Sequence, residues 1–321
     1  MSQVVHPDEL TRLSERFEER LLEVSMADSD FVSEAATHII AAGGKRFRPT
    51  LVFVCSRFGG DVDEEELIKA ALVMELTHVA SLYHDDVMDD ATVRRGTPSA
   101  NVMWGNHVAI LVGDWLFTRA STTVNELGRD FVDLQAATFT RLVQGQIAET
   151  VGPREGDDPL EHHLRVIADK TGSLIAASAR FGGMVASAPG EVLDALSAFG
   201  EELGAVFQLS DDLIDITSTT TGKTPGIDLR EGVPTLPTLM LAASDDPADE
   251  ALKARIAGDL TSDEALADTL AELRAHPVME RARAEVRRRA ESARRHLDIL
   301  PEGEAKDLLL QYCDDLVDRT A

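Results

Sequence analysis

Cysteine is scarce in this chain of 321 residues: Cys55 and Cys313 are the whole supply, and both fall in helix-like patterns. That excludes a disulfide framework and suits free thiols or small buried side chains in a reducing compartment. Aromatic residues are few as well, with two tryptophans and two tyrosines. Cations are outnumbered, 31 Lys and Arg against 57 Asp and Glu, a formal net charge of -26. A chain of that sign is repelled by phosphate backbones, which excludes nucleic acid as a partner. It does not exclude a small phosphorylated substrate, because a metal ion and a few local cations set the field inside a site. No run of about 18 apolar residues occurs, so no spanning helix is expected. The start, MSQVVHPDELTRLSERFEERL, is polar and acidic and does not read as a signal peptide. A soluble, cytoplasmic protein is expected. No Pro/Gly/Ser-rich linker divides the chain, so one domain over residues 1–321 is expected.

What is abundant is Ala, Leu and Glu, the composition of an all-helical fold with a sizeable core. Residues 7–26 carry Leu10, Leu13, Phe17, Leu21 and Val24 on one helical stripe. Helices are also expected over 29–42, from Asp63 onward, and over 106–127, 131–151, 173–187 and 190–216. Residues 217–232, with five threonines and three glycines, read as a mobile flap. The tail from Pro234 reads as short charged helices, an outer scaffold without chemistry.

The chemistry concentrates in Glu75–Gly96, ELTHVASLYHDDVMDDATVRRG. On a helix, Asp85 and Asp89 lie one turn apart on one face with Asp86 at its shoulder. Like charges so placed destabilise a helix unless a cation offsets them. Alone, the segment is either a solvated acidic helix end or a site for a hard cation with oxygen ligands, magnesium bridging to phosphate fitting best. A second copy favours the cation. FQLSDDLIDI repeats the spacing with Asp211, Asp212 and Asp215, again after apolar helix-like sequence. Two DDxxD clusters, each followed by basic residues, can hold metal ions around one diphosphate.

Further cations stand nearby in sequence. Gly43-Gly44 reads as a helix stop, but Lys45, Arg46 and Arg48 crowd beside it before Pro49. His78 lies about two turns before Asp85 on the same face, where it is a packed core residue or a ligand. Arg94 and Arg95 fall in a loop broken by Gly96 and Pro98, where a guanidinium can fork onto phosphate. Lys170 and Thr171 are placed at a helix break before Gly172, and His162 and His163 are expected to face solvent.

GGKRFRP, DDVMD with its trailing arginines, and DDLID with Gly222-Lys223 resemble, in that order along the chain, motifs of the trans-isoprenyl diphosphate synthases, or polyprenyl synthetases. The resemblance runs from about residue 40 to 240. It implies an all-α helical bundle of the isoprenoid-synthase type around a central cavity. It further implies prenyl transfer between isopentenyl diphosphate and an allylic diphosphate: dimethylallyl, geranyl, farnesyl or geranylgeranyl. Magnesium would be held by Asp85, Asp86, Asp89, Asp211, Asp212 and Asp215. Lys45, Arg48, His78 and Arg95 would hold isopentenyl diphosphate. Arg94, Lys170, Thr171 and Lys223 would face the allylic diphosphate, and Gln208 is carried over as substrate-binding. A homodimer through central helices is implied as well. One departure is Val233 in EGVPT, where many members have a further lysine, which leaves Lys223 as the main flap cation.

Three alternatives remain. A terpene cyclase usually shows an asparagine/serine/glutamate second motif, unlike DDLID. A magnesium phosphohydrolase would not need two basic diphosphate sites. A non-catalytic subunit of a heteromeric synthase usually lacks one aspartate motif, and both are intact here. Product length is read from Ala80 and Ser81, about one turn before Asp85, and from Thr77 a further turn back. These small side chains either leave a path for a growing chain or merely let helices pack. The open path predicts an all-trans product, hexaprenyl or longer, of the kind used for quinone side chains. Geranylgeranyl or farnesyl diphosphate is the alternative.

Overall fold

The computed structural model describes residues 7–217 and 225–320. These residues are helical almost throughout, as the composition predicted, and divide into two compact units. The first takes its described residues from Met1–Thr140, Leu174–Ser197 and Ile299–Leu308, the second from Arg141–Ser173, Ala198–Asp298 and Leu309–Ala321.

In the first unit α1 (Pro7–Ser25), α2 (Asp30–Ala41) and α3 (Phe47–Cys55) surround α4 (Glu64–Met88). Asp63 starts α4: its carboxylate accepts the N–H groups of Glu65 and Glu66 at 2.9 and 3.1 Å. The acidic first turn suits the positive end of the helix dipole. Beyond that turn α4 is apolar on most sides rather than striped, the pattern of a helix enclosed by others. It ends at the first aspartate motif, where Asp89 donates its N–H to the Asp85 carbonyl at 2.8 Å and Asp90 turns left-handed, φ +49°.

A short hairpin follows, β1 (Val93–Arg94) against β2 (Thr97–Pro98). Its turn residues Arg95 and Gly96 have φ of +53° and +77°, the two positive values a type I′ hairpin requires. The sequence pointed only to a broken helix here, because an arginine in the first turn position gives no hairpin signal. α5 (Ala100–Trp104) and α6 (Asn106–Asn125) follow, and α6 packs along α4. Next come α7 (Arg129–Val151), α8 (Pro159–Ile167), α9 (Ser173–Val185) and α10 (Gly190–Thr217). Gly182 of α9 meets α3 so closely that a Cβ would lie 2.9 Å from that of Cys55, which leaves the Cys55 thiol fully buried.

In the second unit α8 does not break before Gly172, as the sequence suggested. It runs through one π-turn, Ala168–Gly172, into α9. Of the expected flap, residues 218–224, including Gly222 and Lys223, lie outside the described residues. The rest forms α11 (Ile227–Glu231) between left-handed Gly226 and Gly232. Gly226 donates to the Asp215 carbonyl at 2.8 Å, which ties α11 to the second motif. The remainder is α12 (Leu236–Ala242), α13 (Glu250–Ile256), α14 (Asp263–Ala275), α15 (Pro277–His296) and α16 (Glu304–Asp318). Among the described residues no helix is long and apolar enough to cross a membrane.

Candidate active site

In the first unit the basic residues are organised around one buried carboxylate. Glu75, 2% exposed, accepts from Arg46 Nη1 at 2.9 Å and lies 3.6 Å from Arg95 Nη2. Arg46 also donates to Glu18 Oε2 and to the Ile40 carbonyl, both at 2.9 Å. It is therefore a structural member of the KRFR run rather than an open cation. Arg95 donates to the Ile39 carbonyl at 3.1 Å. A Cβ at Gly44 would lie 2.9 Å from Arg95 Cζ and 3.2 Å from Arg46 Nη1. That glycine does more than end α2: it makes room for two guanidinium groups.

Arg48 has its Nε enclosed without a hydrogen-bond partner. Burial lowers its pKa to about 10, with Glu75 opposing the shift and Arg95 adding to it. His78 is held well below the usual histidine range, first by burial and then by the positive field of Arg48, Arg95, Arg94 and Arg46. It is neutral at pH 7. The structure thus brings Arg48, His78 and Arg95 together with Arg94 and Arg46, while Lys45 is exposed. A group with this excess of positive charge suits an anion.

In the first motif Asp86 is fully buried, and Arg94 places Nε at 2.7 Å and Nη2 at 2.6 Å from its Oδ1. Arg94, expected on the allylic diphosphate, holds the motif itself in this structure. The Asn101 amide donates to the Asp86 and Ala91 carbonyls, both at 3.1 Å, which fixes the turn after α4. Asp85 is half-buried and Asp89 exposed. Asp86 Oδ2 is buried with no hydrogen-bond partner, an oxygen that a cation would satisfy. Among the described residues no three carboxylate, imidazole or thiol groups already converge on a metal position. Magnesium does not need such a cage, since it keeps several waters and binds through one or two carboxylates plus substrate phosphates. The all-oxygen donor set and the orphaned Asp86 oxygen fit it.

In the second unit each motif aspartate has a protein partner. Asp212, nearly buried, receives His163 Nε2 at 3.0 Å and the Leu236 N–H at 2.9 Å, both on Oδ2. Asp211 Oδ1 accepts from Arg319 Nη2 at 2.9 Å, and that guanidinium lies 5.7 Å from the Phe207 ring centre. Asp215 Oδ1 accepts the Ile227 N–H at 3.2 Å. Lys170 is ion-paired with Glu149, and Thr171 and Gln208 are half-buried. Lys223 lies outside the described residues.

Two expectations are corrected here. His162 and His163 do not face solvent: His162 Nε2 is 3.2 Å from the Ala148 carbonyl, and His163 contacts the second motif. His163 lies two turns before Lys170 on the same side of its helix, a spacing that could have flagged it. The tail is not mere scaffold either, since Arg319 reaches Asp211 from 108 residues away. No sequence pattern announces a contact of that range.

The small residues of α4 are enclosed. Ala80 is fully buried, and the Thr77 and Ser81 hydroxyls donate to the Val73 and His78 carbonyls at 2.7 and 2.8 Å. Gly113 of α6 packs here, where a Cβ would lie 3.2 Å from the Ala80 carbonyl. Close helix packing is thus one use of the small side chains.

Comparison with known proteins gives a consistent result. The family described as polyprenyl synthetase matches residues 29–273. The chain is 43% identical over 304 residues to a nonaprenyl diphosphate synthase of Mycobacterium tuberculosis, covering 94% of this chain and 91% of that one. It is 38% identical to heptaprenyl diphosphate synthase component 2 of Geobacillus stearothermophilus, covering 91% of each. Among solved structures, a geranylgeranyl pyrophosphate synthase from Corynebacterium glutamicum, complexed with calcium and isoprenyl diphosphate, superposes with a TM-score of 0.89. It shares 42% identity, over 98% of this chain and 96% of that one.

The neutral, buried His78 sets a pH dependence. Its folded pKa is depressed, so the unfolded chain takes up the proton first as pH falls below about 6.5. Its contribution is complete above that pH and declines below it. In urea titrations between pH 6.5 and 5, His78→Gln is expected to lose stability less steeply than wild type. Equal slopes would contradict the assignment.

Proposed function

The chain belongs to the polyprenyl synthetase family, and we propose that it is an all-trans polyprenyl diphosphate synthase. It condenses isopentenyl diphosphate with an allylic diphosphate. The observation that carries this reading is the arginine and histidine group around Glu75, on the same helix as the first aspartate motif. An anion site and metal-ligating carboxylates close together on one helix are what this reading requires.

The allylic C–O bond breaks as diphosphate departs and leaves a resonance-stabilised carbocation. The alkene of isopentenyl diphosphate attacks it to form the C–C bond. Loss of a proton from the isopentenyl unit to a basic oxygen, such as that of the departed diphosphate, restores a double bond. This reaction needs neutralisation of the departing diphosphate more than a nucleophilic side chain. Asp85, Asp86 and Asp89 in the first unit and Asp211, Asp212 and Asp215 in the second would hold magnesium, which would supply that positive charge. Lys170, released from Glu149, and Lys223 add charge at the leaving group. Arg94 orients Asp86 and can offer its remaining N–H donors outward. Arg48, Arg95, Lys45 and neutral His78 fix the second diphosphate, so that the alkene is oriented rather than free. A neutral imidazole still keeps an N–H donor for phosphate.

The product is proposed to be hexaprenyl or longer, of the kind used for quinone side chains. The small residues of α4 and the nonaprenyl name of one relative support this. The geranylgeranyl title of the Corynebacterium structure keeps the shorter product as the alternative. The name "component 2" supports a second reading, in which the chain is the catalytic subunit of a two-component enzyme. A homodimer is favoured by the exposed apolar side chains Val102, Met103, Ile110 and Leu111 on α5 and α6. Action in the cytoplasm is part of the proposal.

The test is incubation of the purified chain alone with radiolabelled isopentenyl diphosphate, each allylic primer in turn and magnesium. Chromatography of dephosphorylated products should show elongation, and none with any primer would overturn the reading. Asp85→Ala and Asp211→Ala should each lower turnover by more than tenfold, about 1.4 kcal/mol of transition-state stabilisation. Folding should persist by circular dichroism, and retained activity would count against ligation. Ser81→Phe and Ala80→Phe should shorten the product to geranylgeranyl or farnesyl length. An unchanged distribution in an active variant would refute the α4 path.

A further inference from the structure

Arg141 of α7, itself in the second unit, engages all three of its guanidinium nitrogens. Nε donates to Asp169 Oδ1 at 2.8 Å, Nη1 to Glu201 Oε1, and Nη2 to Glu201 Oε2 at 3.1 Å and the Ala168 carbonyl at 3.2 Å. These carboxylates raise the pKa of the guanidinium, so it remains a permanent cation. Two of its three partner residues, Ala168 and Asp169, are the first residues of the π-turn that carries Lys170 and Thr171.

A π-turn inserts one extra residue into a helix and loosens the regular ladder, so it persists where surrounding contacts over-determine it. Here the contacts come from one stripe of α7. Arg141, Gly145 and Glu149 follow one another at intervals of four and so share a face. Arg141 grips Ala168 and Asp169. At Gly145 a Cβ would lie 2.6 Å from the Lys170 backbone nitrogen and 3.1 Å from Asp169 Cβ, so the backbones touch. Glu149 takes the Lys170 ammonium. On the far side Gly172 closes against Glu201, where a Cβ would lie 3.2 Å from Oε2. Glu201 is thereby held between Arg141 and the end of the same turn.

We propose that Arg141 is a positioning residue for prenyl transfer: it sets the π-turn so that Lys170 and Thr171 are presented to the allylic diphosphate. This rests on the function proposed above. Lysine cannot replace it, because an ammonium is a point charge that cannot span Asp169, Ala168 and Glu201 at once. A purely structural tie between α7 and α10 would need only the Arg141–Glu201 pair. The bonds to Ala168 and Asp169 are what aim the turn.

The test is steady-state kinetics with each substrate varied separately. Arg141→Lys should raise KM for the allylic diphosphate about tenfold, with KM for isopentenyl diphosphate within about twofold. Asp169→Asn keeps the Arg141–Glu201 tie and should give the same split with little change in melting temperature, which covers the case of a misfolded Arg141→Lys. Adding Arg141→Lys to Lys170→Ala should raise the allylic KM by less than Arg141→Lys does alone, since only the Thr171 share remains. Unchanged allylic KM in both single variants, an equal rise in both KM values, or additivity with Lys170→Ala would overturn the proposal. A wild-type chain without prenyl transfer would overturn the underlying reading, and this proposal with it.

Discussion

A single buried carboxylate, Glu75, makes the basic site of the first unit possible. Desolvating an ionised carboxylate costs several kcal/mol, and two guanidinium groups facing it offset that cost. In return, Arg46 and Arg95 can be held close to Arg48 and His78, a density of positive charge that would otherwise repel itself. Burial and like charge already lower the Arg48 pKa to about 10 and keep His78 neutral. The group carries stored electrostatic stress that a bound anion relieves. Its cations are fixed before any ligand arrives, so the ordering entropy is met in folding rather than in binding.

The aspartate motifs show the same logic with the sign reversed. Asp86 is fixed by Arg94, Asp212 by His163 and the Leu236 N–H, Asp211 by Arg319, and Asp215 by the Ile227 N–H. Carboxylates held by protein donors keep their rotamers, whereas the same density of negative charge left unpaired would drive them apart. The -26 net charge of the chain is thus balanced locally where the chemistry is expected.

The helices were legible in the sequence because an apolar stripe with a 3.6-residue period needs only local information. Asp63 as the start of α4 and the ends of α1, α2 and α10 follow from such local signals. The candidate residues were also legible, since DDVMD, DDLID and GGKRFRP are compact motifs. Their partners were not. Arg46 to Glu75, His163 to Asp212, Arg141 to Glu201 and Arg319 to Asp211 join residues 29 to 108 positions apart. Only packing brings such pairs together. The π-turn at Ala168–Gly172 escaped for the same reason, being imposed by contacts such as those of Gly145 and Arg141, whereas the hairpin at Val93–Pro98 escaped because Arg95 in its first turn position carries no hairpin signal.

The central claim is that Glu75 organises the cations into a diphosphate site. Calorimetric titration of isopentenyl diphosphate into wild type and Glu75→Gln, without magnesium, tests it directly. Removing a negative charge beside an anion site should tighten binding by Coulomb's law if position were irrelevant. The account predicts the opposite: a folded Glu75→Gln chain that binds at least about tenfold more weakly. Equal or tighter binding would contradict it.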